Sequence, residues 1–266
     1  MKSIAIACRW RSALLVVGLA AAASVSSAVP TLAEGSDAKS VLKSMSDYLA
    51  AQQTISAKFN SSIEVITPGL EKIQFDSSST LQLKRPDKLR IERVGGYADV
   101  ELVFDGKTLT IHDKDNKKYT QASAGGSVDE LVDTLQNKLA IGAPGADLLL
   151  SDVNAALGAD VLEAKYIGQG VINGTECEHL AFRNAETDWQ LWVRTGSDPI
   201  PCKMVITSKT VAGAPQYTLE IGDWKANEAI EDAAFAFTPD SADAKVEPND
   251  LSDLDELPAG APAGGQ

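Results

Sequence analysis

Long stretches of the chain alternate apolar and polar residues with a period of two, a pattern that predicts β-strands. In STLQLK, Leu81 and Leu83 fall on one face and Gln82 falls on the other. KLRIER and ELVFDGKTLTIH repeat this alternation, and the second contains Asp105-Gly106, a pair typical of a type I′ hairpin turn. Short strands joined by tight turns indicate an antiparallel meander with one apolar face and one wet face.

The alternation resumes in the second half of the chain. AKYIGQGVINGTECEHLAFR contains Asn173-Gly174, a second type I′ signal. DWQLWVR places Trp189 and Trp192 on opposite faces, and CKMVITSK and PQYTLEIGDW follow as further strands. The sequence therefore predicts two groups of antiparallel strands.

Three segments have helical spacing instead. The first begins near Ser36 and carries an apolar stripe. The second, SVDELVDTLQNKLA, opens with Ser127 and Glu130 at capping-box spacing. The third, ADLLLSDVNAALG, ends at Gly158. The last two lie between the two groups of strands, so we interpret them as an insertion between the halves of one sheet.

A long antiparallel sheet curls because its strands twist, and its apolar concave face needs a cover. We therefore predict an α+β fold: a curled antiparallel β-sheet, or incomplete β-barrel, with helices covering or plugging its concave face. Eight apolar positions share the alternation in the first group of strands and are expected to line that face. They are Leu81, Leu83, Leu89, Ile91, Leu102, Phe104, Leu109 and Ile111.

The two ends of the chain differ from the middle. Lys2, Arg9 and Arg11 precede the apolar run ALLVVGLAAAA, which small residues follow, and this order is typical of an export signal. Cys8 precedes the apolar run, so it is not expected to carry a lipid. We predict a cleaved signal peptide over 1–33, a domain over 34–239 and an acidic disordered tail over 240–266. Such a signal predicts an exported protein.

Charge excludes one class of partner. The chain has 24 basic and 37 acidic residues and a formal net charge of −13. Binding to nucleic acid requires a basic face that neutralises phosphates, so we expect no nucleic-acid partner. The same acidity disfavours docking on an anionic membrane by charge alone.

Catalysis or metal binding would depend on the few cysteine and histidine residues of the chain. Cys177 and His179 point to the same side of a strand, and after processing only Cys202 and His112 remain as further cysteine and histidine. Three readings stay open: a Cys177–Cys202 disulfide, two free or reactive thiols, and a metal site. The disulfide is our prediction, since exported proteins tend to oxidise a cysteine pair. It requires the strand between the two cysteines to end near Arg194, so that its neighbours can converge.

Other catalytic signals are missing. The sequence contains no G-x-S-x-G elbow and no G-x-x-x-x-G-K-[ST] phosphate loop. His112 lies near a predicted hairpin end and is expected to be exposed. We therefore expect no enzyme, no cofactor and no resident metal, although an enzyme using a cysteine with His179 stays a third hypothesis.

The order of elements over about residues 36–239 resembles the LolA/LolB-like superfamily of lipoprotein carriers. GTECEHLAFRNAETDWQLWVRTGSDPIPCKMVITSK is similar to the signature of a family of predicted periplasmic proteins, domain of unknown function 2092. The FAFTP segment that ends at Pro239 also resembles superfamily members. The matching signature positions are Gly174, Cys177, His179, Leu180, Phe182, Asp188, Trp189, Gln190, Trp192, Pro199, Pro201, Cys202 and Lys203.

The resemblance implies a fold, a compartment and a ligand class. In that superfamily the hollow of the half-barrel takes acyl chains of lipoproteins or related lipids, while other relatives are envelope-stress sensors. We therefore expect a periplasmic, non-enzymatic carrier or binding protein for a lipid, a lipoprotein acyl chain or another hydrophobic ligand. The alternative is an envelope sensor or scaffold protein that binds a protein partner.

Overall fold

The computed structural model describes residues 35–138 and 143–251, and these form one twelve-stranded sheet. Neighbouring strands are antiparallel except for the last, which pairs in parallel with β6. The strands are β1 (Thr54–Ile66), β2 (Lys72–Lys84), β3 (Lys88–Gly95), β4 (Asp99–Phe104), β5 (Thr108–Asp113), β6 (Lys118–Ser123), β7 (Glu163–Ile172), β8 (Thr175–Arg183), β9 (Thr187–Arg194), β10 (Pro201–Ser208), β11 (Gln216–Ala226) and β12 (Ala244–Lys245).

The strand order is β12-β6-β5-β4-β3-β2-β1-β11-β10-β9-β8-β7. β1 therefore lies in the middle of the sheet and joins its two groups of strands, because it pairs with both β2 and β11. β6 and β7 lie at opposite ends of the order, and the chain between them contains the short helices. This confirms the predicted fold: a curled antiparallel sheet that is not closed into a barrel, with a helical insertion between its halves.

Helices cover the inner face of the sheet, the face that carries the predicted apolar positions. α1 spans Gly35–Ala51, α2 spans Val128–Asp133 and continues as a π-helical turn over Thr134–Lys138, and α3 spans Val153–Gly158. Their buried side chains share one apolar core with the inner face. Among the described residues no helix has the length and apolar character needed to cross a membrane.

The third predicted helix is two pieces rather than one. A 3₁₀ turn spans Ala146–Leu149, and α3 begins after Asp152, whose side chain accepts a hydrogen bond from Ala155 N at 2.8 Å. Ser151 N donates to the Asp129 carboxylate at 2.9 Å. These two carboxylates bond backbone N–H groups at the break, so the chain starts a new helix there instead of extending the old one.

Of the two predicted type I′ hairpin turns, one is present in the structure and the other is not. Asn173 and Gly174 have φ values of 49° and 81°, which confirms the type I′ turn between β7 and β8. At Asp105-Gly106 only Gly106 has a positive φ, 98°, so that type I′ prediction is wrong. The Asp105 carboxylate accepts hydrogen bonds from Lys107 N (2.9 Å) and Thr108 N (2.8 Å), and this side-chain turn replaces it.

Residues 230–251, which we call the C-terminal strap, cross the outer face of β3–β6. The Phe235 side chain is 1% exposed, and Ala244 N donates to Lys117 O at 2.9 Å on the edge of β6. Leu251 reaches the main apolar core. The strap thus covers the sheet edge, which differs from the predicted disordered tail beginning at 240. The remainder of that tail, 252–266, and the predicted signal peptide, 1–33, lie outside the described residues.

Candidate functional site

The inner face of β2–β5 brings the eight predicted lining residues together in two rows across the strands. Leu83, Leu89, Phe104 and Leu109 are paired in register and form the first row. Leu81, Ile91, Leu102 and Ile111 form the second row in the same way. The period-two pattern therefore placed all eight side chains on one face. Whether they bind a ligand remains a prediction.

These two rows are covered by the protein's own helices. The four residues of the first row are each at most 1% exposed, whereas Ile91 and Leu102 in the second row are only half-buried. α1 contributes the stripe Ala38, Leu42, Met45 and Leu49, each at most 1% exposed, to the same core. In this state the helices occupy the apolar hollow, and the half-buried pair marks the less covered side.

The inner face is not apolar throughout. One row beyond Leu81 and Ile91, Ser79 lies opposite Arg93, and in the row after that Ser61 lies opposite Ser77. We call these four residues the polar island. The sequence reading missed the island, although the alternate serines of DSSST in β2 carry the signal.

Cys177 and Cys202 are adjacent, as predicted, but they are free thiols with their Sγ atoms 2.7 Å apart. A disulfide bond is about 2.05 Å long, so the predicted disulfide is not present in this structure. β9 ends at Arg194, and the chain on both sides then converges: Arg194 N donates to Ile200 O at 2.9 Å. Cys202 lies at an irregularity in the pairing of β10 with β9, where the register shifts between Pro201 and Lys203.

The environment of these thiols is not that of an activated nucleophile. Burial raises the pKa of both the Cys177 and the Cys202 thiol, which lowers the thiolate fraction at neutral pH. The His179 ring stacks on Trp192 with centroids 4.1 Å apart, and its Nε2 lies 2.9 Å from Gln190 Oε1. His179 therefore has polar and aromatic partners of its own on the outer face. Trp189 faces the core and Trp192 the outer face, so the two lie on opposite faces as predicted.

His112 was expected to be exposed, but the C-terminal strap covers it. Its side chain is 12% exposed, with Nε2 3.2 Å from Asp243 Oδ1 and Nδ1 3.6 Å from Glu101 Oε2. Arg90 pairs with the same Glu101 carboxylate. Sequence patterns offered no means of locating Asp243 beside this strand, because the strap packs there only through tertiary structure.

A polar groove of about 530 Å³ lies on the outer face, where β1, β2 and β11 meet. At its side Lys203 Nζ bonds Glu220 Oε1 at 2.6 Å, and this lysine holds the pKa of the Glu220 carboxyl below its usual range. Ser78 Oγ donates to Asn60 Oδ1 at 2.8 Å. Each of these side chains thus bonds its register partner on the adjacent strand.

The structure defines the class of this protein as an incomplete β-barrel. Its open antiparallel sheet carries helices on the inner face. The chain belongs to the family described as Predicted periplasmic protein (DUF2092), whose model matches residues 38–248. The family description agrees with the expected compartment, and the suspected family is confirmed. A comparison with curated protein sequences gave no match.

Solved structures with distant similarity span most of the chain. An uncharacterized conserved protein from Thermus thermophilus is 10% identical, with a TM-score of 0.45 and coverage of 79% of this chain and 99% of that one. Mycobacterium tuberculosis lipoprotein LppX is 12% identical, with a TM-score of 0.38 and coverage of 74% and 98%. The Pseudomonas aeruginosa MucA/MucB complex gives 12% identity, a TM-score of 0.39 and coverage of 76% and 61%. At these scores the likeness is remote, and the fold assignment rests on the sheet itself.

Proposed function

We propose that this protein is a periplasmic, non-enzymatic carrier or binding protein for a lipid, a lipoprotein acyl chain or another hydrophobic ligand. The observation that carries the proposal is the pair of apolar rows on the inner face of an open sheet, covered by short helices instead of by a second sheet. Membership of a family described as predicted periplasmic supports the compartment.

The energetics favour an acyl chain as the ligand. Burying one CH₂ group is worth about 0.8 kcal/mol, so a chain of about 14 carbons has on the order of 10 kcal/mol available from burial. Association and displacement of the helices reduce this gain. Ile91 and Leu102, opposite each other and half-buried, are where a chain can first contact the rows.

Displacement is reasonable for helices attached in this way. α1 packs on the inner face through its apolar stripe, mainly against β7, and Ser46 Oγ accepts a hydrogen bond from Asn154 N of α3 at 3.0 Å. The apolar side chains of α1 can exchange the sheet for an acyl chain, and the Ser46–Asn154 bond is kept when α1 and α3 move together. A strand of the sheet has no such option, because its backbone is bonded on both sides.

A second candidate is an envelope sensor or scaffold protein that binds a protein partner. The specific observation in its favour is that the protein's own helices already bury the first apolar row. In addition, Leu70, Ile73 and Tyr97 are 73%, 42% and 54% exposed at one end of the sheet. Exposed apolar side chains gathered at one place are typical of contact surfaces.

Two measurements separate these candidates. Native mass spectrometry of protein purified from its own envelope should detect a co-purifying lipid if the first is right. A fluorescent fatty-acid probe should bind the wild type, and Leu102→Arg on the inner face should weaken binding at least tenfold. Val94→Arg is the matched control, because Val94 is 55% exposed on the outer face.

Comparable probe affinity in folded Leu102→Arg would exclude this face as the site. No binding of acyl probes by the wild type, together with no co-purifying lipid, would favour the sensor or scaffold.

A further inference from the structure

Two buried hydrogen-bond donors on the inner face have no partner in the described part of the chain. They are the Ser79 hydroxyl and the Trp224 indole N–H. Ser79 is 5% exposed, and Trp224 packs against the main apolar core. Buried polar groups without partners are rare in folded proteins and call for a specific explanation. Both donors would gain a partner from a ligand that enters the hollow.

The two donors lie on either side of β1, the strand in the middle of the sheet. Ser79 is the register partner of Phe59, on the side of β2. On the other side the pairing of β1 with β11 shifts register beside Ala57, and Trp224 lies at that irregularity. Since strands are about 4.8 Å apart, β2 and β11 are only about 10 Å from each other. One molecule lying over β1 can therefore contact both donors. The second row begins beside them, because Leu81 is the register partner of Ala57.

Both donors are uncharged, and this decides which ligands suit them. Arg93, opposite Ser79 on β3, already interacts within the chain, so we assign it no role with a ligand. Neither the hydroxyl nor the indole N–H can neutralise a carboxylate, and burying a charge without neutralising it is unfavourable. An ester carbonyl oxygen accepts hydrogen bonds from such donors and brings no charge into the hollow.

We infer that the inner face binds an uncharged acyl ester, with Ser79 and Trp224 donating hydrogen bonds to its ester oxygens. This inference rests on the proposed function and names a ligand class within it. The acyl chain then extends from β1 along the second row, past Leu81 to the half-buried pair Ile91 and Leu102. From β1 to β5 there are four strand spacings, about 19 Å, enough for an extended chain of about 14 carbons.

Ligands with chains of equal length isolate the ester. Methyl myristate, myristate and methyl tetradecyl ether are each used to displace the fluorescent fatty-acid probe at about pH 8, where myristate is ionised. The ether is uncharged like the ester but lacks its carbonyl group. Methyl myristate should bind at least about fivefold more tightly than the ether, since hydrogen bonds to a neutral acceptor give such a factor. It should also bind at least about tenfold more tightly than myristate, whose charge stays unneutralised.

Variants of the two donors test where the ester binds. Ser79→Ala and Trp224→Phe should each reduce the preference for methyl myristate over the ether at least about threefold. Unchanged affinity for the ether shows that each variant is folded. Thr120→Val is the matched control and should keep the preference. Thr120 Oγ1 is also buried without a partner in the described part of the chain, but Thr120 pairs with Ile111 at the far end of the second row.

Stability separates a ligand role of Ser79 from a purely structural one. Ser79→Ala removes an unpaired buried hydroxyl, so it should raise the denaturant midpoint of the empty protein as well as weaken the ester. A raised midpoint with an unchanged preference for the ester would show that the hydroxyl does not bind ligand, and would overturn the inference.

The remaining results also overturn the inference, and they separate it from the proposed function. Equal binding of methyl myristate and the ether, or loss of the preference in Thr120→Val alone, would refute the ester subsite and leave the proposed function intact. Tighter binding of myristate than of its methyl ester would identify a site for an anionic headgroup instead. Binding of no acyl ligand, the probe included, would refute the proposed function and the subsite with it.

Discussion

If a ligand displaces α1 from the inner face, then weakening the packing of α1 must strengthen ligand binding. Met45→Ala is the perturbation, because Met45 is 0% exposed in the middle of the apolar stripe of α1. Alanine has the highest helix propensity, so the substitution weakens the packing without weakening the helix.

The magnitude follows from burial. Replacing a fully buried methionine by alanine costs about 2–5 kcal/mol of folding free energy. If α1 leaves its place on ligand binding, this cost falls only on the closed, empty state, and the free energy of opening decreases by a similar amount. A decrease of about 2 kcal/mol corresponds to roughly 30-fold tighter binding. The variant should remain folded, since domains have about 5–15 kcal/mol of stability.

The assay pairs urea unfolding with titration of a fluorescent fatty-acid probe. Phe235→Ala is the matched control, because Phe235 is 1% exposed but belongs to the C-terminal strap, which packs on the outer face. It should destabilise the protein by about 3–5 kcal/mol and leave probe affinity unchanged. Unchanged or weaker binding by folded Met45→Ala would refute displacement of α1. A similar gain in Phe235→Ala would show that any loss of stability favours binding.

Three further predictions concern the cysteines and the strap. In a Cys8→Ser background, Cys177 and Cys202 should resist a thiol reagent in the native protein and react fully after unfolding; rapid native labelling would contradict their burial. Burial raises the folded pKa of both thiols above the unfolded value of about 8.5. Above that pH the folded state binds more protons, so the free energy of unfolding should fall as pH rises, and less steeply in Cys177→Ala/Cys202→Ala; equal slopes would exclude the thiols as the cause. A chain ending at Glu231 should be about 3 kcal/mol less stable than one ending at Leu251, because it loses the buried Phe235; equal denaturant midpoints would show that the strap does not stabilise the sheet.

Much of the inner face follows from local pattern. The period of two fixes which side chains share a face of a strand, whichever strand lies next to it. All eight predicted positions from Leu81 to Ile111 therefore lie on the inner face. Ser127 caps α2 by accepting from Glu130 N at 3.2 Å, as its spacing predicted. The Asn173-Gly174 turn is equally local, because two positive φ values belong to the residues themselves.

Sequence predicts the conformation of a turn less well where a side chain competes with the backbone for hydrogen bonds. Asp105-Gly106 has the composition of a type I′ turn, but the carboxylate of Asp105 bonds two backbone N–H groups and selects another conformation. At Asp152 the same kind of bond ends one helical segment and begins the next. Both outcomes depend on side-chain hydrogen bonds that periodicity does not encode.

Only the tertiary structure decided which distant segments meet. Alternation gives the face of a residue but not the partner of its strand, so the pairing of β1 with β11 could not be derived from the pattern. The same holds for the strap over His112. The sequence by itself thus determined the strands, their apolar face and the helical insertion. The order of the strands, the place of the strap and the burial of the cysteines came from long-range pairing, whose free energy is shared among residues far apart in the chain.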